Sequence, residues 1–468
     1  MKSLRVTKTP IAGLLVVDLP LHGDNRGWFK EHWQREKMVA LGLPDFGPVQ
    51  QNISFNAEVG TTRGIHAEPW DKYVSVANGS AFGAWVDLRE GASFGTSFSI
   101  ELTPSRAVFV PRGVANAFQT LEPNTSYMYL VNDHWSETAQ YVFLNLEDPT
   151  AAIKWPIPLN QAIVSAKDRG HPMLSQVAPV PPMDVVVLGA NGQLGKALRN
   201  YFPEKSTRFL SRIEIDLSSP SSILSYDWSN VGTIVNAAAY TAVDKAEEPS
   251  ELSKVWQVNA GAVGALARIA TKFNATLVTV SSDYVFDGTQ EIHSEEEPLS
   301  PLGAYGQSKA AGELAAAVSP KHYIIRTSWV VGDGPNFVRT MLALSKRGVE
   351  PKVINDQVGR LTFADDLARA ILHLLQVSAP YGIYNVSNGG THCSWFDVAR
   401  KTFELAGAEP NSVHATSSAE YSKSLESAGT VVAPRPKNSV LDLRKIQSTG
   451  FTTTDWVTAL ADYIANGE

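Results

Sequence analysis

Apolar and polar positions follow two different periods along this chain. Up to about residue 120 they change places at every second residue over short runs: FGPVQQNISFN (46–56), KYVSVANGSAFGAWVDLRE (72–90) and TSFSIELTPSRAVFVPRG (96–113). A period of two turns successive side chains to opposite faces of a strand, so these runs predict an antiparallel sandwich or barrel. Asn78-Gly79 stands between Tyr73, Val74 and Val76 on one side and Phe82, Trp85 and Val86 on the other, the signature of a tight two-residue hairpin. Past residue 183, apolar strand-like runs alternate with helical stretches: MDVVVLG, a helix from about Gln193, GTIVNAA, a helix around 250–273, ATLVTVSS, a helix from about Tyr305, then HYIIRTS. That order predicts a parallel sheet covered by helices on both faces. Between the two regions, HPMLSQVAPVPP carries Pro172, Pro179, Pro181 and Pro182, which suit neither a helix nor a central strand. Residues 171–182 are therefore expected to form a semi-rigid linker between a domain at 1–170 and a domain at 183–468.

Composition narrows the function classes. A chain of 468 residues exceeds one small core, and its formal charge of −7 comes without a polybasic run, so neither nucleic acid nor anionic lipid has an electrostatic footprint. No apolar run approaches the roughly 18 residues of a membrane span, and the start lacks an apolar leader core. Cys393 stands alone, which leaves no intrachain disulfide and no thiolate cage and fits a cytoplasmic protein.

The chemistry of the second half begins at Gly189, Gly192 and Gly195, three glycines placed directly after a strand and at the mouth of a helix. Glycine lets the backbone turn tightly and approach a pyrophosphate, whose charge meets free N–H groups. Farther on, Tyr305 and Lys309 are four residues apart and share a helix face. A nearby ammonium favours the phenolate, so proton transfer by Tyr305 is expected to become accessible nearer neutrality.

The strings GANGQLG, VNAAAYTAVDKAE, VSSDYVFDG, YGQSK, RTSWVVG and APRPKNSVLD make residues 183–468 resemble the extended short-chain dehydrogenase/reductases, and among them the dTDP-4-dehydrorhamnose reductases. The resemblance implies that Ser282 holds the substrate carbonyl, Tyr305 is the general acid, and Lys309 is its electrostatic partner and ribose ligand. It places Gly189, Asn191, Gly192, Gln193, Leu194 and Gly195 on the cofactor, with Ala237, Ala238 and Tyr240 lining the groove beside Asn236 and Asp216 near the adenine. Asp283, Trp329 and Arg435 would meet the substrate, with Trp395 and Asn438 in a smaller lobe. Ser211 and Arg212 end the second strand where a 2′-phosphate would sit, so NADPH is the expected cofactor, with NADH as the alternative.

In the first half, Asp24-Asn25-Arg26, Glu31, Gln51-Asn52, Arg63-Gly64-Ile65-His66, Lys72, IKWP at 153 and SAKD at 165 occur in the order and spacing of the cupin-fold dTDP-4-dehydrorhamnose 3,5-epimerases. Epimerisation beside a ketone needs a base, a cation for the enolate and an acid on the opposite face. The resemblance implies His66 as base, Asp168 as its orienting carboxylate, Lys72 and Arg63 as cations, and Tyr129 as acid, with Tyr127 on the same strand face. Arg26 and Glu31 would hold the nucleotide end, Lys72 and Arg63 would stabilise the enolate or the nucleotide diphosphate, and Gln51 and Asn52 would also meet the substrate. A metal cupin would begin with His66 and Glu68 but needs a histidine where Asn116 stands, so no metal is expected. Asn116 and Trp135 both depart from the epimerase pattern.

Together the fold expectation is an all-β cupin, or jelly-roll, followed by a Rossmann-type doubly wound α/β domain with a small substrate lobe. The functional expectation is a bifunctional epimerase and reductase acting on a dTDP-sugar towards L-rhamnose, with a homodimer formed through the cupin. Two other readings stay open at this point: an active reductase with the cupin as a binding or dimerising module, and a non-catalytic regulatory protein on the reductase fold. The choice of dTDP over UDP is also open.

Overall fold

A computed structural model describes residues 3–137, 139–427 and 430–467. The chain divides into two compact units, Met1–Pro182 and Met183–Glu468.

The first unit is all-β. One six-stranded antiparallel sheet contains, among others, the strands Lys72–Asn78, Arg106–Val110, Thr125–Val131 and Gln50–Asn56. The second contains Thr61–Ala67, Val114–Thr120, Ala81–Asp87 and Ser97–Leu102. The inner faces meet in a core of Val74, Val76, Trp85, Val108, Val110 and Phe118, each buried, as the period-two runs require. The Asn78-Gly79 expectation needs correction. Lys72–Asn78 and Ala81–Asp87 lie in different sheets, so the pair turns a corner between layers and closes no hairpin. Gly79 takes φ +76°, and a Cβ there would meet Thr125 Oγ1 at 2.3 Å. The turn signal was sound, but a local turn does not determine which neighbour each strand pairs with.

The expected linker is also revised. Residues 171–182 belong to the first unit, where Val180 bridges Arg89 in parallel, Val180 N–H donates to Leu88 O at 2.7 Å, and Leu174 and His171 are buried. Proline bars helix and central strand but not an edge segment that anchors itself by burying Leu174 and by pairing the backbone of Val180.

In the second unit a parallel sheet runs in the order Thr207–Leu210, Asp184–Leu188, Val231–Asn236, Thr276–Ser282, His322–Thr327, Gly382–Asn385. Both faces are covered. Val186, Leu188, Ile234 and Leu277 pack on the helix Ala262–Lys272, whereas Val187, Val235, Val278 and Ile325 pack on the helix Ala364–Gln376. The strand order reverses at Asp184–Leu188, and at such a switch point the loops diverge and open a crevice at the carboxyl ends. A smaller lobe, including the helices Phe337–Lys346 and Trp395–Leu405, has its own core around Val338, Val398 and Phe403. Among the described residues no helix is long and apolar enough to cross a membrane.

Candidate active sites

At the switch point lies a cleft of about 950 Å³. Its floor is the glycine turn. Gly189 has φ +84°, and a Cβ on Gly195 would lie 2.1 Å from Gly189 O, so the helix Gln193–Leu198 approaches the turn as only glycine allows. Asn191, Gly192, Gln193 and Leu194 line the cleft; Gly195 serves the close packing below it. The Gln193 amide oxygen accepts from Gly332 N–H at 2.7 Å, so this side chain ties the turn to the loop after His322–Thr327. Ala237, Ala238 and Tyr240 form one wall, with Tyr240 N–H bonded to Asn259 Oδ1 at 2.9 Å. Asn259 was not legible in the sequence: it sits in a π-helical turn, Gln257–Gly261, and also donates to Ser308 Oγ at 3.0 Å, bracing that wall against the helix that carries Tyr305. The cradle and volume fit a dinucleotide with a sugar beside it.

Ser282, Asp283, Tyr305, Lys309, Trp329 and Trp395 converge on the other side of the cleft. Ser282 ends its strand, and its hydroxyl donates to Asp283 Oδ1 at 2.9 Å and accepts from Tyr284 N–H at 3.2 Å. Burial raises the Asp283 carboxyl to about 6, against hydrogen bonds from Ser439 and Ser282 that lower it. Burial also holds the Tyr305 phenol up at about 12, with an opposing hydrogen bond to Ser282. The sequence expectation of a phenol drawn towards neutrality by Lys309 is thereby reversed. Lys309 shares the helix face, but its Nζ donates to Val280 O at 2.6 Å, and desolvation takes its own pKa down to about 8. Trp329 and Trp395 stack 3.8 Å apart at 17° in the smaller lobe. Arg435 is outside the cleft lining and is bound to Asp244 at 2.8 Å, and Asn438 donates to the Gln290 and Glu291 carbonyls.

Just past the strand Thr207–Leu210, where the sequence leads us to expect cofactor selection, Arg212 Nε lies 3.4 Å from Asp216 Oδ1, and both residues line the cleft. Ser211, however, is engaged. Its N–H and its hydroxyl each donate to Glu214 Oε2 at 2.6 Å, so a carboxylate of this chain holds donors that a 2′-phosphate would use.

The first unit builds a different site between its sheets. His66, on Thr61–Ala67, places Nε2 3.2 Å from Asp168 Oδ1. Asp168 is buried in a helical turn, Ala166–Arg169, capped by Ser165 Oγ, which accepts Asp168 N–H at 3.0 Å. Burial lowers the His66 pKa despite the opposing pull of Asp168, so the ring is neutral at neutral pH. Opposite, Lys72 is paired with Glu68, donates to Asn116 Oδ1 at 2.9 Å and lies over the Tyr129 ring at 5.1 Å. Tyr127 and Tyr129 do share a face, yet they differ in access. Tyr127 is 2% exposed, stacked on Phe118 and bonded to Asn116, whereas Tyr129 is only partly buried. Asn116, read as a departure from pattern, is thus a satisfied junction between Lys72 and Tyr127.

Of the other residues expected on the substrate, Arg63 donates to Asn56 Oδ1 at 3.2 Å, on the same strand face as Asn52. Alternation turns Gln51 the other way, with exposed Ile53 and Phe55. Arg26 sits on a separate exposed hairpin bonded to Asp24, and Glu31 is ion-paired with Lys37, so neither joins the His66 cluster. Trp135 is exposed, its N–H on Gln50 Oε1 at 3.0 Å.

Comparison with known proteins agrees with both halves. Residues 8–176 match the family described as dTDP-4-dehydrorhamnose 3,5-epimerase, and residues 183–468 match the RmlD substrate binding domain. A protein RmlC homolog from Streptococcus pyogenes serotype M6 is 50% identical over 182 residues, covering 37% of this chain and 91% of that protein. A dTDP-4-dehydrorhamnose reductase from Aggregatibacter actinomycetemcomitans is 37% identical over 303 residues, 61% of this chain and 99% of that one. The crystal structure of dTDP-4-dehydrorhamnose reductase from Bacillus anthracis str. Ames in complex with NADP is 34% identical, covers 61% of this chain and 99% of its own, and superposes with a TM-score of 0.56. The chain is thus a fusion that belongs to the dTDP-4-dehydrorhamnose 3,5-epimerase family in its first part and to the dTDP-4-dehydrorhamnose reductase family in its second.

Proposed function

We propose that this chain converts a dTDP-4-keto-6-deoxyhexose to dTDP-L-rhamnose in two steps: epimerisation at C3 and C5 in the first unit, then NADPH-dependent reduction of the C4 ketone in the second. The observation that carries the reading is that each half combines its family's sequence with a set of reactive groups in working protonation states.

In the first unit Asp168 accepts the Nε2 proton of neutral His66 and leaves Nδ1 as the base for a proton beside the ketone. Lys72, with Arg63 towards the nucleotide, offsets the charge that develops on the enolate oxygen. Tyr129, kept protonated by burial, returns a proton from the opposite face. In the second unit a bound nicotinamide cofactor supplies the hydride. Ser282 orients the carbonyl oxygen, and Tyr305 carries the proton that this oxygen takes up. A pKa near 12 keeps that proton in place at neutral pH, the state a reduction requires. Lys309 fixes the Tyr305 face and offers its ammonium to the cofactor ribose. NADPH is the proposed cofactor because the relative from Bacillus anthracis is solved with NADP and Arg212, a cation, lines the cleft of this chain. A homodimer through the first unit, and a cytoplasmic setting in keeping with the single buried thiol of Cys393, belong to the same proposal.

The test is to incubate the full chain with dTDP-4-keto-6-deoxyglucose, with and without NADPH, and identify the products. dTDP-L-rhamnose with NADPH supports the reading. Reduction that gives only the unepimerised sugar would reduce the first unit to a binding module.

A further inference from the structure

A third ionisable side chain joins the His66 and Asp168 pair, and nothing in the proposed reaction uses it. His171 lies three residues after Asp168, in the segment that the prolines had suggested was linker. Its side chain is 6% exposed and Asp168 is 9% exposed, whereas His66 keeps 32% of its surface open. His171 Nε2 is buried without a hydrogen-bond partner and is 3.8 Å from the same Asp168 Oδ1 that faces His66 Nε2 at 3.2 Å. The two imidazoles cross edge to face, 5.3 Å between centroids, and Phe143 stacks on His171 at 4.8 Å. One ligand atom from each of the three residues lies within 4.8 Å of the others.

We infer that His66, Asp168 and His171 form a binding site for a divalent zinc-class ion that switches the first unit off. Two imidazoles and one carboxylate are a zinc donor set, with metal–ligand distances of about 2.0–2.2 Å and room for water as a fourth ligand. Ligand atoms around a tetrahedral ion at those bond lengths lie about 3.3–3.6 Å apart, so Asp168 Oδ1, 3.2 Å from His66 Nε2 and 3.8 Å from His171 Nε2, is near its place and the two imidazoles must close from within 4.8 Å by roughly an ångström. The aromatic wall of Phe143 limits how the His171 ring can turn, and His66 provides the opening to solvent. This site differs from the metal cupin weighed from the sequence, because it uses neither Glu68 nor the Asn116 position.

Its consequence follows from proton bookkeeping on one ring. The working base has its proton on Nε2, towards Asp168, and its lone pair on Nδ1. An ion on Nε2 moves that proton through solvent to Nδ1, so the ring stays neutral but loses the basic lone pair. The metal is therefore an inhibitor of epimerisation, not a participant. That inhibitory part rests on the epimerase reading, whereas metal binding does not.

The test uses the full chain stripped of metal. Calorimetric titration with zinc chloride should give one site per chain, with cobalt(II) as a visible-absorption reporter. His171→Gln and His171→Phe, checked for folding by circular dichroism, should each weaken zinc at least about tenfold, the lower bound for losing even a group that merely orients a ligand. In D₂O, zinc should stop deuterium entry into the keto sugar and EDTA should restore it, while each His171 variant, referred to its own zinc-free rate, should resist zinc by the same factor. Failure of the wild type to bind zinc, or equal affinity in both variants, overturns the site. Undiminished exchange with zinc bound overturns the switch. Tight zinc binding that depends on His171, in a protein showing no exchange even without zinc, upholds the site and defeats the epimerase reading instead.

Discussion

Lys309 donates from Nζ to the carbonyl of Val280 at 2.6 Å, two residues before Ser282 on the same strand, and makes no bond to the phenol of Tyr305. The buried cation therefore anchors the end of the strand that presents Ser282, while Tyr305 keeps its proton. Reduction under single-turnover conditions should be level around pH 7 and fall through about pH 8, where the ammonium is lost. Lys309→Met should abolish that limb and slow the step on the order of a hundredfold, and Tyr305→Phe should cost about a hundred to ten thousandfold with cofactor affinity kept. Linkage gives a second readout. Unfolded Lys309 titrates at 10.5 and the folded residue at about 8, so between those values the unfolded chain binds the extra proton. This group thus makes stability rise with pH over that window, and chemical denaturation at pH 8 and pH 10 should show the rise flattened in Lys309→Met.

The two tyrosines of the first unit make separable predictions. Tyr127→Phe removes the partner of Asn116 Nδ2 in the core, so it should lower stability by about 1–3 kcal/mol and leave turnover of the folded fraction largely intact. Tyr129→Phe removes a hydroxyl at the open end of the same face. It should leave the melting temperature close to wild type and slow product formation, while deuterium exchange into the starting sugar continues, because deprotonation by His66 precedes its step. The opposite pattern would exchange their roles.

Cofactor choice should respond to Glu214. Its carboxylate, kept ionised by the Ser211 hydrogen bonds, occupies both Ser211 donors and would oppose a second anion there. Glu214→Gln should therefore tighten NADPH relative to NADH by several-fold, on the order of 1 kcal/mol for a charge-assisted contact released to the ligand. Arg212→Asp should shift preference to NADH. Dissociation constants from tryptophan fluorescence would decide, and an unchanged ratio in both variants would place the discrimination elsewhere.

What could be read from the sequence depended on how local the physics was. The glycine turn, the parallel strands around it and the helix face shared by Tyr305 and Lys309 follow from short-range geometry, and the structure contains them. Asn78-Gly79 marked a turn correctly, but strand partners across it depend on sheet-to-sheet packing far away in sequence. The prolines of 171–182 excluded regular structure but could not reveal that Leu174 buries itself and that Val180 pairs its backbone with Leu88. Glu214 at Ser211, Asn259 in its π-turn and His171 beside Asp168 went unread for the same reason: each acts through a contact that carries no spacing signal. The pKa of Tyr305 rises because burial, invisible in a string of letters, outweighs the hydrogen bond with Ser282 that lowers it.

The pH dependence of exchange in the first unit follows from His66. Burial is the largest influence on its ring and lowers the pKa below 6.5, with Asp168 pulling the other way. The base works only when neutral, so deuterium entry at C3 and C5 in D₂O should be at its plateau near pH 7 and decline only as the pH falls below 6.5. Asp168→Asn removes the opposing carboxylate, which lowers the pKa further and moves the acid limb to still lower pH. It also frees the tautomer, so the plateau itself should drop by about a hundred to ten thousandfold, the usual scale for a mispositioned base. His66→Ala should show no exchange at either carbon. A truncation to residues 183–468 should still bind NADPH while giving no exchange, which assigns the reaction to the first unit. Exchange at one carbon only would mean that the site around His66 and Asn116 admits a single pose of the sugar, and an acid limb in the wild type above 6.5 would mean that Asp168, not burial, governs the base.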